Sequence, residues 1–431
     1  MGFEDLLRQV WPIGDIECSE YRILLALCIL VMVVLACVIP FLLRGDSSSD
    51  SSRCGDARDD LNEAARAQER WLNPDWQSKV HQSSQVRRER GIVVLVTGAA
   101  GFVGLHTCLA LKNRGDGVVG LDNMSNASDL ALKRERLELL EKSSVFVIRG
   151  DINDAILLRK LFDMIPFTHV LHLAAQPSIR NSTENPGGYV QSNIAGLVTL
   201  LEACRKATPQ PAFVWTSSSS VYGLNSSAPS SESDRSDQPT SLYAASKQAG
   251  EGLVHVYNHT YGLSTTTLRL GTVYGPWGRP DMAYWIFARD ILRGKEITIY
   301  EGPNQADLVR DWTFIDDIVQ GCVAAVDTAQ QSTGSGGRKS SPAQFRTFNL
   351  GCPSPVTIVN LLNILEELLE VKARIRVVEM PSHGSTPFMY ADISLARSQL
   401  GYHPTTDPYT GLKRFVDWYL DYHGLSEFGC S

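Results

Sequence analysis

The chain has no surplus of positive charge: 40 Lys and Arg stand against 47 Asp and Glu, a formal net charge of −7. A mildly acidic chain lacks the electrostatic footprint needed to coat nucleic acid, so no nucleic-acid partner is expected. The nine cysteines, at 18, 28, 37, 54, 108, 204, 322, 352 and 430, are scattered, and no C-x-x-C pair occurs. Neither a zinc cluster nor a disulfide framework is supported, and no metal is expected. A disorder-prone composition is missing too. With 43% hydrophobic and 20% charged residues the chain can bury a sizeable core. Only one stretch is apolar enough to span a bilayer, which excludes a multi-pass transporter. At about 100–200 residues per domain, 431 residues make two or three domains' worth of chain.

That one stretch is residues 23–43, uncharged and bracketed by Arg22 and Arg44. At ~1.5 Å per residue it would make a helix about 31 Å long, enough to cross the hydrocarbon core. Signal-peptide cores run only ~7–15 apolar residues. Here, moreover, an acidic stretch with Glu4, Asp5, Asp15, Glu17 and Glu20 comes first. The reading is a tail (1–22) and a retained transmembrane anchor (23–43). Arg8 and Arg22 precede the run and Arg44, Arg53 and Arg58 follow it, so charge does not decide orientation. Residues 44–90, Ser- and Asp-rich and then charged, read as a flexible stem with one short helix around 61–71 and little to bury. The folded part is expected to start near Gly91.

From there the pattern is regular. Residues 92–96 are a β-branched run suited to a strand buried on both faces. Gly98-Ala-Ala-Gly101-Phe102-Val103-Gly104 follows, then a helical stretch to Arg114. Further β-like runs lie at 118–121, 145–148, 169–173, 212–216 and 265–268, with helix-like segments between them. The alternation predicts an α/β fold: a Rossmann-type doubly wound parallel sheet, mainly in residues 91–275. Residues 276–425, less regular, are expected to form mainly a smaller C-terminal α/β substrate-binding lobe interleaved with it. The glycines fall where a strand turns into a helix, so backbone could approach a pyrophosphate at the helix N-terminus. The spacing G-x-x-G-x-x-G is not the commonest fingerprint, and alone it would also fit an ordinary tight turn. An acid at the next strand's end, Asp122, followed by Asn123, favours a dinucleotide. A carboxylate there would accept ribose hydroxyls and repel a 2′-phosphate, which favours NAD. Asp151 and Ile152 end the third strand, where adenine would lie, and Ala174 follows the fourth.

Tyr243-Ala-Ala-Ser-Lys247 places a phenol and an ammonium on one helix face. Bringing a Tyr from ~10 towards ~7 takes about three pKa units, ~4 kcal/mol of differential interaction. A phenol so tuned by Lys247 could take a proton from an alcohol near neutral pH. Alone, Y-x-x-x-K fits a surface helix equally well. Upstream, however, Ser217-Ser218-Ser219-Ser220-Val221-Tyr222-Gly223 ends a β-like run, and strand C-termini open onto the ligand crevice of such sheets.

Together with His172-Leu-Ala-Ala175, Asn193 and Arg310-Asp311, these motifs resemble the extended short-chain dehydrogenase/reductase family, over about residues 91–423. Within it the chain is most similar to the plant-type UDP-glucuronate 4-epimerases. Thr272-Val-Tyr-Gly-Pro-Trp-Gly-Arg279-Pro-Asp-Met-Ala283, Asn185-Pro186, residues 237–245, Asn193-Ile-Ala-Gly196 and the anchor carry the closer match. The resemblance implies an NAD-dependent interconversion of UDP-glucuronate and UDP-galacturonate through a transient 4-keto sugar. Tyr243 would remove the C4 hydroxyl proton, Lys247 would lower its pKa, and Ser218 would hydrogen-bond the reacting oxygen. The C4 hydride would move to NAD and return to the other face of the sugar. Thr272 and Arg279, with Ser219, Ser220 and Asn193, would hold the substrate, and Arg310 its phosphates. As an alternative, Arg310 could form a surface ion pair with Asp311.

Hydroxyls at Ser219-Ser220, where a related decarboxylase carries Glu and a 4,6-dehydratase Asp-Glu, argue against both of those activities. Three departures stand out. Leu270-Gly271 replaces aromatic residues, which would remove a wall of the sugar pocket. Pro177-Ser178 and Asn181-Ser-Thr flank Arg180, and His383-Gly-Ser385-Thr386 occupies a loop expected to reach the nucleotide. Gly271 keeps open a 4-epimerase of neutral UDP-sugars (glucose/galactose or xylose/arabinose). A decarboxylase and a non-catalytic NAD-binding scaffold are the remaining readings. Residues 331–342 read as a disordered surface loop. The resemblance further implies a Golgi membrane location, single-pass type II with a lumenal domain, and a homodimer built on two helices. N-x-S/T sequons stand at Asn123, Asn126, Asn181, Asn225 and Asn258.

Overall fold

The computed structural model describes residues 73–126, 129–225, 227–302, 307–379 and 388–425. The tail, the anchor, most of the stem and the 381–387 loop lie outside them. Among the described residues no helix is long and apolar enough to cross a membrane.

Seven strands form one parallel sheet: β1 (Val93–Thr97), β2 (Gly117–Asp122), β3 (Phe146–Arg149), β4 (His169–His172), β5 (Ala212–Ser218), β6 (Thr265–Leu270) and β7 (Phe345–Leu350). Their order is β7-β6-β5-β4-β1-β2-β3. Every residue of β2 and β5 is buried, as for strands covered on both faces. This is the doubly wound arrangement expected, with β1 and β4 flanking the switch point where ligands bind. β7 comes from residues well beyond 276, so sheet and lobe interleave in sequence.

The helices start where local chemistry dictates. α1 spans Pro74–Ser83 and α2 spans Phe102–Asn113. Gly101 precedes α2 with no side-chain cap, leaving its first N–H groups for an anion. α3 (Leu130–Lys142) is capped by Asp129, which accepts from Leu132 N. α4 (Leu242–Tyr261) is capped by Ser241 and closed by Gly262 in the left-handed region.

Two expectations need correction. The fold does not wait for Gly91. Trp76, Val80 and Ser83 of α1 are buried, and Ser83 Oγ donates to Val118 O while accepting Phe146 N at 2.8 Å. Lys112 Nζ donates to Ser83 O at 2.8 Å, so α1 is tied to both β2 and α2. Residues 331–342 are not a disordered loop either. Gly334–Ser335 pairs antiparallel with Arg338–Lys339 around Gly336 and Gly337, whose φ values of 56° and 83° suit a tight hairpin turn. Ser332 Oγ donates to Pro211 O and Thr333 N to Gly262 O, which docks the hairpin on the body.

The smaller lobe packs helices Ala283–Leu292, Ile358–Leu369 and Pro408–Tyr422 with a parallel pair of strands, Glu296–Glu301 and Arg374–Glu379. Its core is aromatic. Tyr284 and Phe415 meet edge to face at 4.8 Å, and Tyr274 meets Phe314 at 5.5 Å.

Candidate active site

A cleft of about 540 Å³ opens at the carboxyl ends of β1, β4 and β5. Its walls include Gly98, Gly101, Phe102, Val103, Gly104, Asp122, Asn123, Ile152 and Ala174 on one side. Ser218, Ser219, Ser220, Tyr243, Lys247, Thr272, Arg279 and Arg310 complete it. Two of the residues singled out from sequence are not on the wall. Asp151 lies just behind it, accepting Asn123 Nδ2 at 2.8 Å and Asn153 N at 2.8 Å. Burial raises its carboxyl, but those donors outweigh burial and hold it below the usual carboxylate range. Asn193 is buried and fully engaged: its Oδ1 accepts Gln176 N at 2.8 Å, and its Nδ2 donates to Ser246 Oγ at 2.9 Å and Gln176 O at 3.1 Å. It ties the loop after β4 to α4, and both of its amide hydrogens are spent within the protein.

The glycine turn is built for close approach. A Cβ on Gly104 would stand 2.0 Å from Gly98 O, and Gly98 itself has φ +71°. Asp122 is buried beneath the turn. Its Oδ2 accepts Ala100 N at 3.1 Å, and its Oδ1 accepts Met124 N at 2.9 Å and Lys133 Nζ at 3.0 Å. An ion pair, not the lone carboxylate expected, therefore faces the cleft, and the repulsion of a 2′-phosphate is partly offset.

The serine run separates by partner. Ser217 also lines the cleft, but its hydroxyl donates to Glu251 at 2.6 Å. Ser218 shares a hydrogen bond with Tyr243, and its Oγ donates to Ser220 Oγ at 3.1 Å. Lys247, one turn after Tyr243, is buried and donates to Thr216 O at 2.8 Å. Burial pushes its pKa down to about 7, while Glu251 pulls it up. Burial likewise raises the Tyr243 phenol, against the Ser218 hydrogen bond and the charge of Arg279. The phenol acidified by Lys247 is thus not what the protein alone displays: the ammonium is itself desolvated and is spent on a carbonyl.

Of the cations, Arg279 is held by Asp281, with Nε to Oδ1 at 3.0 Å and Nη2 to Oδ2 at 2.7 Å. Arg310 also lines the cleft, its Nη1 on Val309 O at 2.7 Å, and burial lowers its pKa to about 10. Asp311 faces the interior, where it accepts Thr313 Oγ1 at 2.7 Å and Cys352 N at 2.6 Å. A Cβ at Gly271 would come 3.1 Å from Asp311 Cγ, so a side chain there would start towards that carboxylate and not into open cleft.

Sequence reasoning missed Lys133 and Arg136, both on the cleft wall. Arg136 donates to Trp277 O at 2.6 Å, Gly278 O at 2.7 Å and Ala100 O at 3.3 Å, which joins the glycine turn to the loop of Arg279. The available signal is two cations three apart on the helix after β2, a spacing shared with ordinary surface helices.

The sequence model of the NAD dependent epimerase/dehydratase family matches residues 94–340. UDP-glucuronate 4-epimerase 1 of Arabidopsis thaliana is 61% identical over 356 residues, 83% of each chain. UDP-glucuronate 4-epimerase 5 of the same plant is 52% identical over 416 residues, 96% of this chain and 94% of its own. The crystal structure of UDP-glucuronic acid 4-epimerase from Bacillus cereus, in complex with UDP-glucuronic acid and NAD, is similar at a TM-score of 0.66. It is 34% identical and covers 76% of this chain and 99% of its own.

Proposed function

Because the chain belongs to the NAD dependent epimerase/dehydratase family, we propose that it is an NAD-dependent 4-epimerase interconverting UDP-glucuronate and UDP-galacturonate through a transient 4-keto sugar. The single observation that carries the chemistry is that Ser218, Tyr243 and Lys247, one turn along from the phenol, line the same cleft as the uncapped N-terminus of α2.

The residues fit a dinucleotide. Gly98, Gly101, Phe102, Val103 and Gly104 form a turn that any Cβ at Gly104 would fill, and the α2 N–H groups suit a pyrophosphate. Asp122 with Lys133, and Asn123, would hold the adenosine ribose. Ile152 would flank the adenine, with Asp151 behind it holding Asn123 in place, and Ala174, Tyr243 and Lys247 would hold the nicotinamide end. When bound, NAD supplies a reversible hydride acceptor and, in its oxidised form, a positive charge.

Tyr243 takes the C4 hydroxyl proton and returns it to the epimeric alcohol, acting as base and then as acid. Ser218 hydrogen-bonds the reacting oxygen. A 4-keto uronate is a β-keto acid and loses CO2 once its C–C bond aligns with the carbonyl π system. Thr272, Ser219, Ser220 and Arg279 hold the carboxylate out of that alignment. Arg310 holds the diphosphate, a task suited to a planar fork of donors. The Asp281 carboxylate on Arg279 favours a second reading, epimerisation of a neutral UDP-sugar, since a neutral sugar leaves that pair undisturbed.

On the same reading, residues 23–43 anchor a type II protein in the Golgi membrane with a lumenal catalytic domain. It forms a homodimer and supplies galacturonate for pectin-type polysaccharide. Similarity to the Arabidopsis relative that spans 96% of this chain supports a shared N-terminal region. Among the sequons, Asn258 is excluded as a glycan site because its amide is buried on Leu263 O and Gln344 O.

Incubating the purified full-length chain with UDP-glucuronate should yield UDP-galacturonate. UDP-xylose as product would overturn the reading in favour of decarboxylation. Equal turnover of UDP-glucose would favour the neutral-sugar reading, and no turnover of any UDP-sugar would favour a scaffold.

A further inference from the structure

We propose that the buried Glu251–Arg269 ion pair positions the Ser218–Tyr243 pair by gripping the serine run at both ends and fastening it to the helix that carries the phenol. The proposal rests on the roles given above to Ser218 and Tyr243.

Glu251 lies on α4, one turn beyond Lys247 and two beyond Tyr243, and Arg269 lies on β6. Their side chains are 17% and 6% exposed. They meet as a bidentate fork, Nε to Oε1 at 3.0 Å and Nη2 to Oε2 at 2.7 Å. The same Oε1 accepts the Ser217 hydroxyl at 2.6 Å. On the other side Arg269 Nη1 donates to Tyr222 Oη at 3.1 Å, and that hydroxyl donates to Asn349 Oδ1 on β7 at 2.7 Å. Ser217 precedes Ser218 directly, and Tyr222 ends the short turn Ser219–Tyr222 that follows it. One ion pair thus reaches the residue before the reacting hydroxyl and the last residue of the turn after it.

Strand geometry converts this grip into aim. Successive side chains on a strand point to opposite faces, so fixing Ser217 on Glu251 also fixes the direction of Ser218. Stability alone does not account for a charged device here, since buried pairs lose in desolvation much of what they gain in attraction. What the fork provides is angle: two parallel bonds leave the carboxylate little freedom to turn, so the oxygen that accepts Ser217 stays in place.

The test uses the full-length chain, with the parent as control, on UDP-glucuronate or on whichever UDP-sugar the parent turns over. Ser217→Ala removes only the link and leaves the ion pair. It should lower kcat by about tenfold, the scale of a modest misplacement of a reacting group, with only the small drop in unfolding temperature that losing one buried hydrogen bond brings. KM should stay within about twofold of the parent, because the loss falls on the reacting geometry and not on binding. Ser217→Thr, which keeps the hydroxyl, should restore kcat. Glu251→Gln should cost at least as much as Ser217→Ala, and the double variant should be no slower than Glu251→Gln alone, because both act through one bond. Parental kcat in Ser217→Ala, a loss confined to KM, or losses that multiply in the double variant would each overturn the proposal. A parent that converts no UDP-sugar would sink the functional reading instead, so the two failures are distinct.

Discussion

Lys247 is a buried cation of the cleft, with its Nζ on Thr216 O and 5.1 Å from the Trp215 ring centroid. Its pKa falls from 10.5 to about 7 in the folded protein, so the folded state resists protonating it. The unfolded chain therefore binds more protons between those values, and stability rises with pH across that window. Cofactor-free Lys247→Met should melt above the parent at pH 6, and the gap should close as pH approaches 10.5. A pH-independent gap in a calorimetric series would refute the assignment. Tyr243→Phe should lower kcat by about 10²–10⁴, the usual contribution of a positioned acid–base group, with the dinucleotide still bound. At this scale the glycines, Tyr243 and Lys247 were legible, because turn and helix geometry fix which residues share a place. Arg136 was not, since its partners are carbonyls of distant segments, and the packing bonds of Asn193 were not, because an amide that ties a loop to a helix looks the same in sequence as one facing a ligand.

Among the elements, α1 shows what the sequence concealed. Its buried Trp76 and Val80 are only two apolar contacts among polar neighbours, so the segment passed for stem. Ser83→Ala removes the donor to Val118 O and the acceptor of Phe146 N. It should cost about 1–3 kcal/mol in denaturant unfolding and leave KM unchanged, since α1 contributes nothing to the cleft wall. Gly104→Ala is expected to act differently: its methyl meets Gly98 O, so purified protein should carry less dinucleotide, measured by absorbance after extraction. The first six strands announced themselves as apolar or β-branched runs. β7, Phe-Arg-Thr-Phe-Asn-Leu, did not, because its Arg346 and Asn349 find partners only in the assembled fold: Arg346 on Thr266, and Asn349 on Ser230, Tyr222 and Asp392. The 331–342 segment misled for the opposite reason: Gly and Ser suit a flexible linker as well as the tight turn they form.

For the molecule as a whole, the proposed division between anchor and enzyme is open to a simple trial. Removing residues 1–44 should release the chain from membranes in a fractionation while UDP-sugar turnover persists. Turnover lost together with membrane binding would show that the two are not separable. Within the folded body the topology imposes an order of its own. β7 closes the edge of β6, yet its residues, Phe345–Leu350, leave the ribosome only after most of the other elements have been made. Until then β6 presents bare amides and carbonyls along a flank suited to pairing with any passing strand. A nascent chain arrested before residue 345 should therefore need chaperone cover, and the hazard ends only when the missing neighbour slots in.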